Sequence, residues 1–333
     1  MYLNRFLPIT FLIFFFSGLK AQGYIHFTQF TYIPLSVNPA QTGLFEGSYR
    51  VGGLYRSQWS GSFKGYQTPV IYADVPINGF RKQDWIGVGL NLQRDAAGTS
   101  LLTNTLVGGN VAYHMGMDKK QNTVLSFGLQ AGFNQRNIDR GKLTFQDGLL
   151  KGTSADVAQI DAQNKSYMLM NLGVNLRSKA SKKTTVSVGL SVDNILGAKY
   201  NLISNSVAKL PRRFNVHGAM DIDINKRFTF NPALIFRSTA GSNETMLHLV
   251  GGMKLDPAKN ITVKGGLGYR VNDAALLLLG LDYGDIRVAA SYDYTLSTLK
   301  STDSNNGFEI AIGYIGKIFK TPQPPRVILC PRY

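Results

Sequence analysis

Histidine is the side chain in this sequence best suited to acid–base chemistry at neutral pH. The four histidines are far apart along the chain: His26, His114, His217 and His248. His217 shares one face of a predicted strand with Asp221, but at the usual rise per residue the two are about 13 Å apart. No neighbouring serine is placed as a nucleophile, so we expect histidines that are hydrogen-bonded within the fold, and no enzyme activity. A hydrolase is the alternative, and it would lose activity when one of these histidines is replaced.

Metal and phosphate sites are not indicated either. One long polar segment contains four aspartates: Asp139, Asp147, Asp156 and Asp161. Their spacing does not match that of a calcium-binding loop. Gly265, Gly266 and Gly268 lie within a strand pattern that no helix follows, which argues against a phosphate-binding loop. Cys330 is the only cysteine, so no disulfide forms within the chain. The sequence therefore predicts neither a metal nor a cofactor.

The elements that position these side chains are strands. From Tyr49 onward, stretches of about ten residues alternate between apolar and polar side chains, and a turn follows each. The polar face has full charges in mid-strand, and the apolar face recurs in strand after strand. Lipid outside and water inside a closed barrel satisfy both faces, so the sequence predicts an all-β fold, an antiparallel outer-membrane β-barrel of about 14 strands. The predicted strands are centred near Leu54, Ile71, Val88, Leu106, Phe127, Leu172, Val188, Val216, Phe230, Leu249, Val263, Leu277, Val288 and Ile312.

The connections between the predicted strands differ in length at the two ends of the barrel. If the N-terminus is periplasmic, the long connections 136–165, 195–210 and 296–306 all lie outside the cell. Short turns on the periplasmic side and long loops on the outer side are typical of such barrels. Trp59 and Trp85, near strand ends, are expected in the aromatic belt at the membrane interface.

The two ends of the chain have their own composition. Residues 1–21 contain Arg5, an apolar run over 6–16 and small residues before Ala21, which predicts a secretory signal peptide. Residues 22–46 are apolar and aromatic and are expected to form a periplasmic N-terminal lead-in or plug, followed by the barrel over 47–319. Residues 320–333 are rich in proline, which predicts an extended periplasmic tail.

The formal net charge is +16 and falls to +14 when Arg5 and Lys20 leave with the signal. Export argues against nucleic acid as the partner and favours membrane lipid, lipopolysaccharide phosphates or an acidic protein. Several arginines could form a ladder in the lumen: Arg50, Arg56, Arg212 and Arg213. We expect them to pair with lumen carboxylates such as Asp221 or Glu309.

The most specific pattern lies in residues 36–59. It consists of Asn38-Pro39-Ala40, Thr42-Gly43, Tyr49-Arg50 and Tyr55-Arg56-Ser57-Gln58-Trp59, and His26-Phe27-Thr28-Gln29-Phe30 precedes it. In order and spacing these elements resemble the opening of the PorP/SprF family. That family consists of outer-membrane proteins of the type IX secretion system, which exports and displays proteins in Bacteroidetes-type bacteria.

The resemblance implies a barrel that binds a secreted surface protein or adhesin through its C-terminal domain, helps its export and retains it in gliding, adhesion or enzyme display. The candidate contacts lie in the long loops: Arg136, Asp139, Arg140, Asp147, Asn194, Lys199 and Tyr200. The periplasmic tails would contact a secretion-machine component or a peptidoglycan-linked lipoprotein. One alternative is a PorP-like barrel coupled to the periplasmic ring of the machine. Another is a 14-stranded diffusion or hydrophobic-substrate channel, which would need an apolar lumen pocket, whereas the predicted lumen face is mainly polar.

Overall fold

The computed structural model describes residues 25–58, 65–79, 83–98, 102–139, 164–199, 209–256, 259–297 and 306–318. The expected signal peptide and the proline-rich tail with Cys330 lie outside these ranges. No helix in the described ranges is long and apolar enough to span a membrane.

The described residues form a closed barrel of strands β1–β14. Their bounds are β1 Tyr49–Gln58, β2 Tyr66–Asn78, β3 Trp85–Ala97, β4 Leu102–Gly116, β5 Thr123–Asn137, β6 Asn164–Ser181, β7 Thr184–Asp193, β8 Arg213–Asp223, β9 Phe228–Thr239, β10 Ser242–Asp256, β11 Ile261–Arg270, β12 Ala274–Tyr283, β13 Ile286–Thr295 and β14 Gly307–Gly316. Each strand pairs antiparallel with the next, and β1 pairs with β14 to close the sheet. All predicted strand centres lie within these strands, so the predicted fold and strand number are confirmed.

Alternation along each strand separates an outer from an inner face. On β2, for example, Ile71 is 56% exposed while its neighbours Val70 and Tyr72 are buried. Bulky apolar side chains such as Leu90 and Leu267 point outward, and amides such as that of Asn91 point inward. The period of two therefore puts an apolar belt outside and most of the polar groups inside.

The two ends of the barrel differ, and we name them by their connections. The loop end has the long connections 138–163, 194–212 and 296–306, whereas the turn end has connections such as 182–183 and 284–285. Two loop-end connections, 240–241 and 271–273, are nevertheless as tight as those of the turn end. The predicted difference between the ends thus lies in three long loops and not in every connection.

Residues 25–46 lie inside the barrel, and we call them the lumen segment. It contains a 3-10 helix at Phe30–Tyr32, one α-helical turn, α1, at Pro34–Val37, and a second 3-10 helix at Pro39–Gln41. Its apolar side chains pack on two patches of the inner wall. One patch joins Phe27, Ile33 and Leu35 to Leu54, Val70, Tyr72, Ala289 and Ala311, and the other joins Phe30 and Val37 to Ala233, Ile235, Met246, Ala274 and Leu276. The inner face is therefore less uniformly polar than predicted.

Candidate functional site: the segment inside the barrel

Asn38 fixes the middle of the lumen segment to the barrel wall. Its Oδ1 accepts a hydrogen bond from the Ala40 N–H at 2.9 Å, which caps the second 3-10 helix. Its Nδ2 donates to the carbonyl oxygens of Val174 (3.0 Å) and Leu190 (3.1 Å) on β6 and β7. Pro39 follows as the first helical residue, where its missing N–H costs nothing. The Asn-Pro-Ala motif thus shapes the segment and attaches it at the same point.

Three wall glycines let the segment lie directly against the strands. A Cβ atom at Gly128 would lie 2.1 Å from the Ala40 nitrogen, and one at Gly173 would lie 1.9 Å from the Asn38 Oδ1. At Gly87 a Cβ would lie 1.9 Å from the Thr42 carbonyl oxygen. No other residue type fits at these positions without displacing backbone or a hydrogen-bonded side chain.

His114 and Trp85 hold the Thr-Gly part of the motif. The His114 Nε2–H donates to the Thr42 carbonyl at 2.7 Å, so its Nδ1 accepts from the Ser126 hydroxyl at 2.7 Å. The Trp85 indole N–H donates to the Gly43 carbonyl at 3.0 Å, and its ring stacks on His114 with centroids 4.8 Å apart. The prediction that Trp85 belongs to an interfacial belt is therefore wrong, because its indole is bound to the lumen segment.

A carboxylate anchors the segment where it leaves the barrel at the turn end. Asp74 accepts from the Gly43 N–H at 2.6 Å and from the Arg50 guanidinium at 2.7 and 2.9 Å. Arg50 also donates to the Gln41 carbonyl at 3.1 Å, and its guanidinium lies 4.7 Å from the centre of the Phe45 ring. The Tyr-Arg part of the motif therefore ties β1 to the segment that precedes it.

A second carboxylate site holds the start of the segment near the loop end. Glu309 accepts from the backbone N–H groups of Thr28 (2.8 Å) and Gln29 (2.7 Å). Arg56 pairs with the same carboxylate, and both side chains are buried. A buried carboxylate needs such donors, since an unpaired charge would be very costly there.

Asp293 extends this site. It accepts from the Thr28 hydroxyl at 2.7 and 2.8 Å and from Arg270 at 2.9 Å, and Arg270 also donates to the Thr28 oxygen at 2.7 Å. Arg56 lies 3.5 Å from Asp293. Arg270 also pairs with Asp273 at 2.9 Å and lies 3.9 Å from Glu244, so the lumen segment enters a larger, mostly buried ion network.

The predicted arginines do not form one ladder. Arg50 pairs with Asp74, and Arg56 belongs to the ion network just described. Arg212 donates to the Ile195 carbonyl at 3.3 Å. The expectation that lumen arginines pair with lumen carboxylates is confirmed for Arg56, which pairs with Glu309. Arg213 pairs with Asp193 at 2.7 Å, and Asp221 instead accepts from the Asn231 amide.

The other histidines also face the segment. The His217 Nε2 lies 3.3 Å from the Gln41 amide nitrogen, which can only donate, so the ring nitrogen accepts this hydrogen bond. It also lies 3.1 Å from the Asn38 amide nitrogen, whose two hydrogens are donated to Val174 and Leu190. His248 packs against Phe30, with ring centroids 4.8 Å apart. His114 and His217 are therefore hydrogen-bonded within the fold, as expected. The Nε2 atoms of His26 and His248 have no hydrogen-bond partner among the described residues. Within those ranges no group of three His, Cys, Asp or Glu side chains could hold a metal ion.

His26 lies at the start of the segment, beside the buried arginines. Burial lowers its pKa well below the usual 6.5, and the neighbouring charges of Arg270, Arg56 and Arg237 lower it further. The imidazole is therefore neutral at physiological pH.

A cavity of about 220 Å³ separates the lumen segment from strands β7–β13. Phe30 and Leu278 line its apolar part. Lys264, which lies 2.5 Å from Asp282, and Arg287, whose guanidinium lies 5.2 Å from the Tyr32 ring centre, line its charged part. The mixed lining differs from the apolar pocket that a hydrophobic-substrate channel would need.

The candidate contact residues in the long loops are only partly described. Arg136 lies at the loop end of β5, and Asp139 follows that strand. Lys199 is exposed, and its backbone forms an isolated antiparallel β-bridge with that of Lys209. Asn194 differs from the expectation, because its side chain is fully buried. Its Nδ2 donates to the Leu210 carbonyl at 2.6 Å and its Oδ1 accepts from a loop amide, so it holds the base of the loop. Arg140, Asp147 and Tyr200 lie outside the described residues, as does Trp59 of the motif.

The rest of the motif belongs to β1. Tyr49 and Tyr55 face outward, and the Tyr49 ring lies 5.9 Å from that of Tyr314 on β14. Gln58 accepts from Arg56 at 3.1 Å, near Ser57 at the end of the strand. These residues therefore form the strand pair that closes the barrel.

The sequence profile of the family described as "Type IX secretion system membrane protein PorP/SprF" matches residues 19–314. The chain belongs to the PorP/SprF family. As a member of that family it is an outer-membrane protein, so the outward apolar belt faces lipid. Short turns such as those of the turn end are typical of the periplasmic side of such barrels. Membership also implies that it works with the type IX secretion machinery and its cargo.

Solved structures support the fold of this PorP/SprF protein. The toluene transporter TbuX of Ralstonia pickettii is 12% identical with a TM-score of 0.50, over 86% of this chain and 94% of its own. The monoaromatic hydrocarbon channel CymD is 10% identical with a TM-score of 0.51, over 86% and 93% of the two chains. At this identity the likeness concerns the barrel alone. The search of curated proteins found no match.

The site contains residues that the motif alone does not reveal. The carboxylates Asp74 and Asp293 look like ordinary lumen charges in the sequence, because their partners are distant along the chain. The wall glycines did leave a signal, since Gly128 and Gly173 replace polar side chains on the inward phase of β5 and β6.

Proposed function

We propose that this outer-membrane barrel binds a secreted surface protein or adhesin through the C-terminal domain of that protein, helps its export and retains it at the cell surface. The observation that carries the proposal is the match of the PorP/SprF family over nearly the whole chain. The mechanism is binding rather than catalysis.

The loop end supports this role. The connections 138–163 and 194–212 are the longest in the chain and leave the same end of neighbouring strands β5–β8. The base of the second is fixed by the buried Asn194, so its position on the barrel is well defined. Loops held on a rigid scaffold are where binding residues are most often found.

The lumen segment favours binding over free diffusion. Hydrogen bonds attach it to the wall at Thr28, Asn38 and Gly43, from the loop end to the turn end. A diffusion or hydrophobic-substrate channel would have to move these groups, many of them buried, before solute could pass. Burial without their partners would cost about 1–3 kcal/mol for each group.

The test is to replace residues 138–163 with a short turn and follow the surface protein in intact cells. We expect the surface protein to appear in the medium instead of on the cell. The matched control replaces Ala240-Gly241, a tight connection at the same end, with Asn-Gly, and it should leave surface retention unchanged. Unchanged retention in the loop variant, with the barrel still folded, would contradict the assignment of binding to this loop.

A further inference from the structure

Exposed cations are concentrated at neighbouring connections of the turn end. They lie in the connections β4–β5, β6–β7 and β8–β9 or at the adjoining end of β6, and we call them the basic arc: Lys119, Lys120, Lys179, Lys182, Lys183, Lys226 and Arg227. Backbone hydrogen bonds join the three connections. The Lys179 N–H donates to the Asn122 carbonyl at 2.7 Å, and the Asp223 N–H donates to the Lys183 carbonyl at 2.8 Å. The basic arc is therefore one continuous surface.

Few acidic groups offset the basic arc. The carboxylate of Asp118 is engaged within its own turn, where it accepts from the Thr123 N–H at 2.9 Å and from the Asn122 amide at 2.8 Å. Glu46 lies 3.0 Å from Lys179, and Asp223 pairs with Lys254 at 2.6 Å.

The pKa of the Glu46 carboxyl group reflects the positive electrostatic potential around it. A hydrogen bond from Lys179 lowers its pKa, and the charges of Lys179, Arg177 and Lys317 lower it further. The larger effects come from Lys179 and Arg177, both on β6, as expected for a surface of positive potential on this side of the turn end.

The rest of the turn end is closer to neutral among the described residues. Lys317 lies 3.8 Å from Asp285, Arg287 lies 3.4 Å from Asp282, and Lys259 shares its turn with Asp256. A lipid surface surrounds a barrel on all sides and would favour cations all round its rim. A charge on one side only is the pattern expected for a protein partner that docks from one direction.

The basic arc also extends away from the membrane. Strand β6 has 18 residues, whereas about 9–11 residues of a tilted strand span a bilayer. The last residues of β6 and the turn 182–183 are exposed and continue beyond the β5 edge, which ends its pairing with β6 at Ser178. Lys179, Lys182 and Lys183 are thus placed within reach of a soluble molecule.

We propose that the basic arc is a docking surface for an acidic face of a soluble periplasmic protein domain. This surface is at the opposite end of the barrel from the loops that we assign to the secreted protein. Its role therefore does not depend on the proposed retention function, and the two can fail separately.

The test uses the full-length protein in its native outer membrane. A photo-crosslinking amino acid replaces Lys182, and the cross-linked peptides are identified by mass spectrometry. We expect cross-links to a segment of a periplasmic protein that is rich in Asp and Glu. Cross-links to phospholipid alone, or none, would overturn the proposal.

Charge reversal supplies the quantitative arm. The partner identified by cross-linking is then recovered in pull-downs at low salt, without a cross-linker. With the variant Lys182→Glu/Lys183→Glu we expect its recovery to fall about tenfold. The matched control Lys259→Glu/Lys317→Glu makes the same change in net charge elsewhere on the turn end and should leave recovery unchanged. Equal recovery from both variants, or an equal fall in both, would overturn the proposal. Heat-modifiable gel migration confirms that each barrel is folded, and surface retention of the secreted protein is measured separately.

Discussion

At the scale of single residues, the Asn-Pro-Ala-x-Thr-Gly motif is an attachment device. Asn38 uses both ends of its amide, one for the helix it begins and one for the strands it touches. The facing strands have glycine at the positions where the two backbones are in contact. The role of the motif in this structure is therefore to shape the lumen segment and attach it to the wall.

The close contact at Gly128 gives a direct test. Gly128→Ala would put a methyl group 2.1 Å from the Ala40 nitrogen, so the lumen segment must shift. We expect a loss of about 1–3 kcal/mol in folding free energy. The measurement is the temperature midpoint of the heat-modifiable gel shift. Gly265→Ala is the control, because a Cβ at that position meets nothing within 4 Å and should change stability by less than about 0.5 kcal/mol. Equal effects of the two variants would show that the contact does not matter.

His26 gives a prediction about pH. Its pKa in the folded protein is below its ordinary value of 6.5, so binding of the segment is fully favourable above about pH 6.5 and weakens as the pH falls below it. Protonation would place a cation beside Arg270, Arg56 and Arg237. The protection factors of the Thr28 and Gln29 amides, which correct for the slower intrinsic exchange at low pH, should therefore fall from pH 7 to pH 5 more in the natural protein than in His26→Gln. The same pH response in both proteins would exclude His26 as the cause.

The sequence indicated part of this residue-scale picture. Pairing of lumen arginines with lumen carboxylates could be expected in advance, but which arginine meets which carboxylate could not. Trp85 was assigned to the wrong environment, since a tryptophan near a strand end fits an interfacial belt as well as a buried contact. Distant partners such as Asp74 and Gly43 carry no local signal at all.

At the scale of elements, strand β12 shows where alternation fails and why. Leu276 and Leu278 are buried in the lumen, while Leu277 and Leu279 are 48% and 56% exposed outside. Both faces of this strand are apolar because Phe30 and its neighbours pack against the inner one. A run of leucines in a barrel sequence therefore indicates contact with an internal segment as well as with lipid.

The lumen segment as an element carries a prediction about permeability. Deletion of residues 25–44 should raise single-channel conductance in planar bilayers, because the deleted chain lies within the barrel and is attached along its length. Gly128→Ala should give intermediate or unstable openings, since it displaces the segment without removing it. High conductance in the natural protein, unchanged by the deletion, would favour a diffusion channel.

At the scale of the whole molecule, the strand count and the outer-membrane barrel followed from the sequence because two physical constraints repeat in every strand. Lipid requires one apolar face, and antiparallel closure requires a regular succession of strands and turns. The path of residues 25–46 had no such repeat, and only packing against the finished barrel determines it. The one-sided charge of the turn end likewise requires knowledge of which turns are neighbours.

The most direct test of the central claim is affinity purification of the tagged protein from native outer membranes in mild detergent, with co-purifying chains identified by mass spectrometry. We expect a large secreted surface protein in about equimolar amount, lost when residues 138–163 are replaced and kept when Ala240-Gly241 is exchanged. Recovery of periplasmic secretion components without such a protein would favour the PorP-like coupling role. A barrel that purifies alone, with both variants behaving like the natural protein, would contradict the binding of a secreted protein by this barrel.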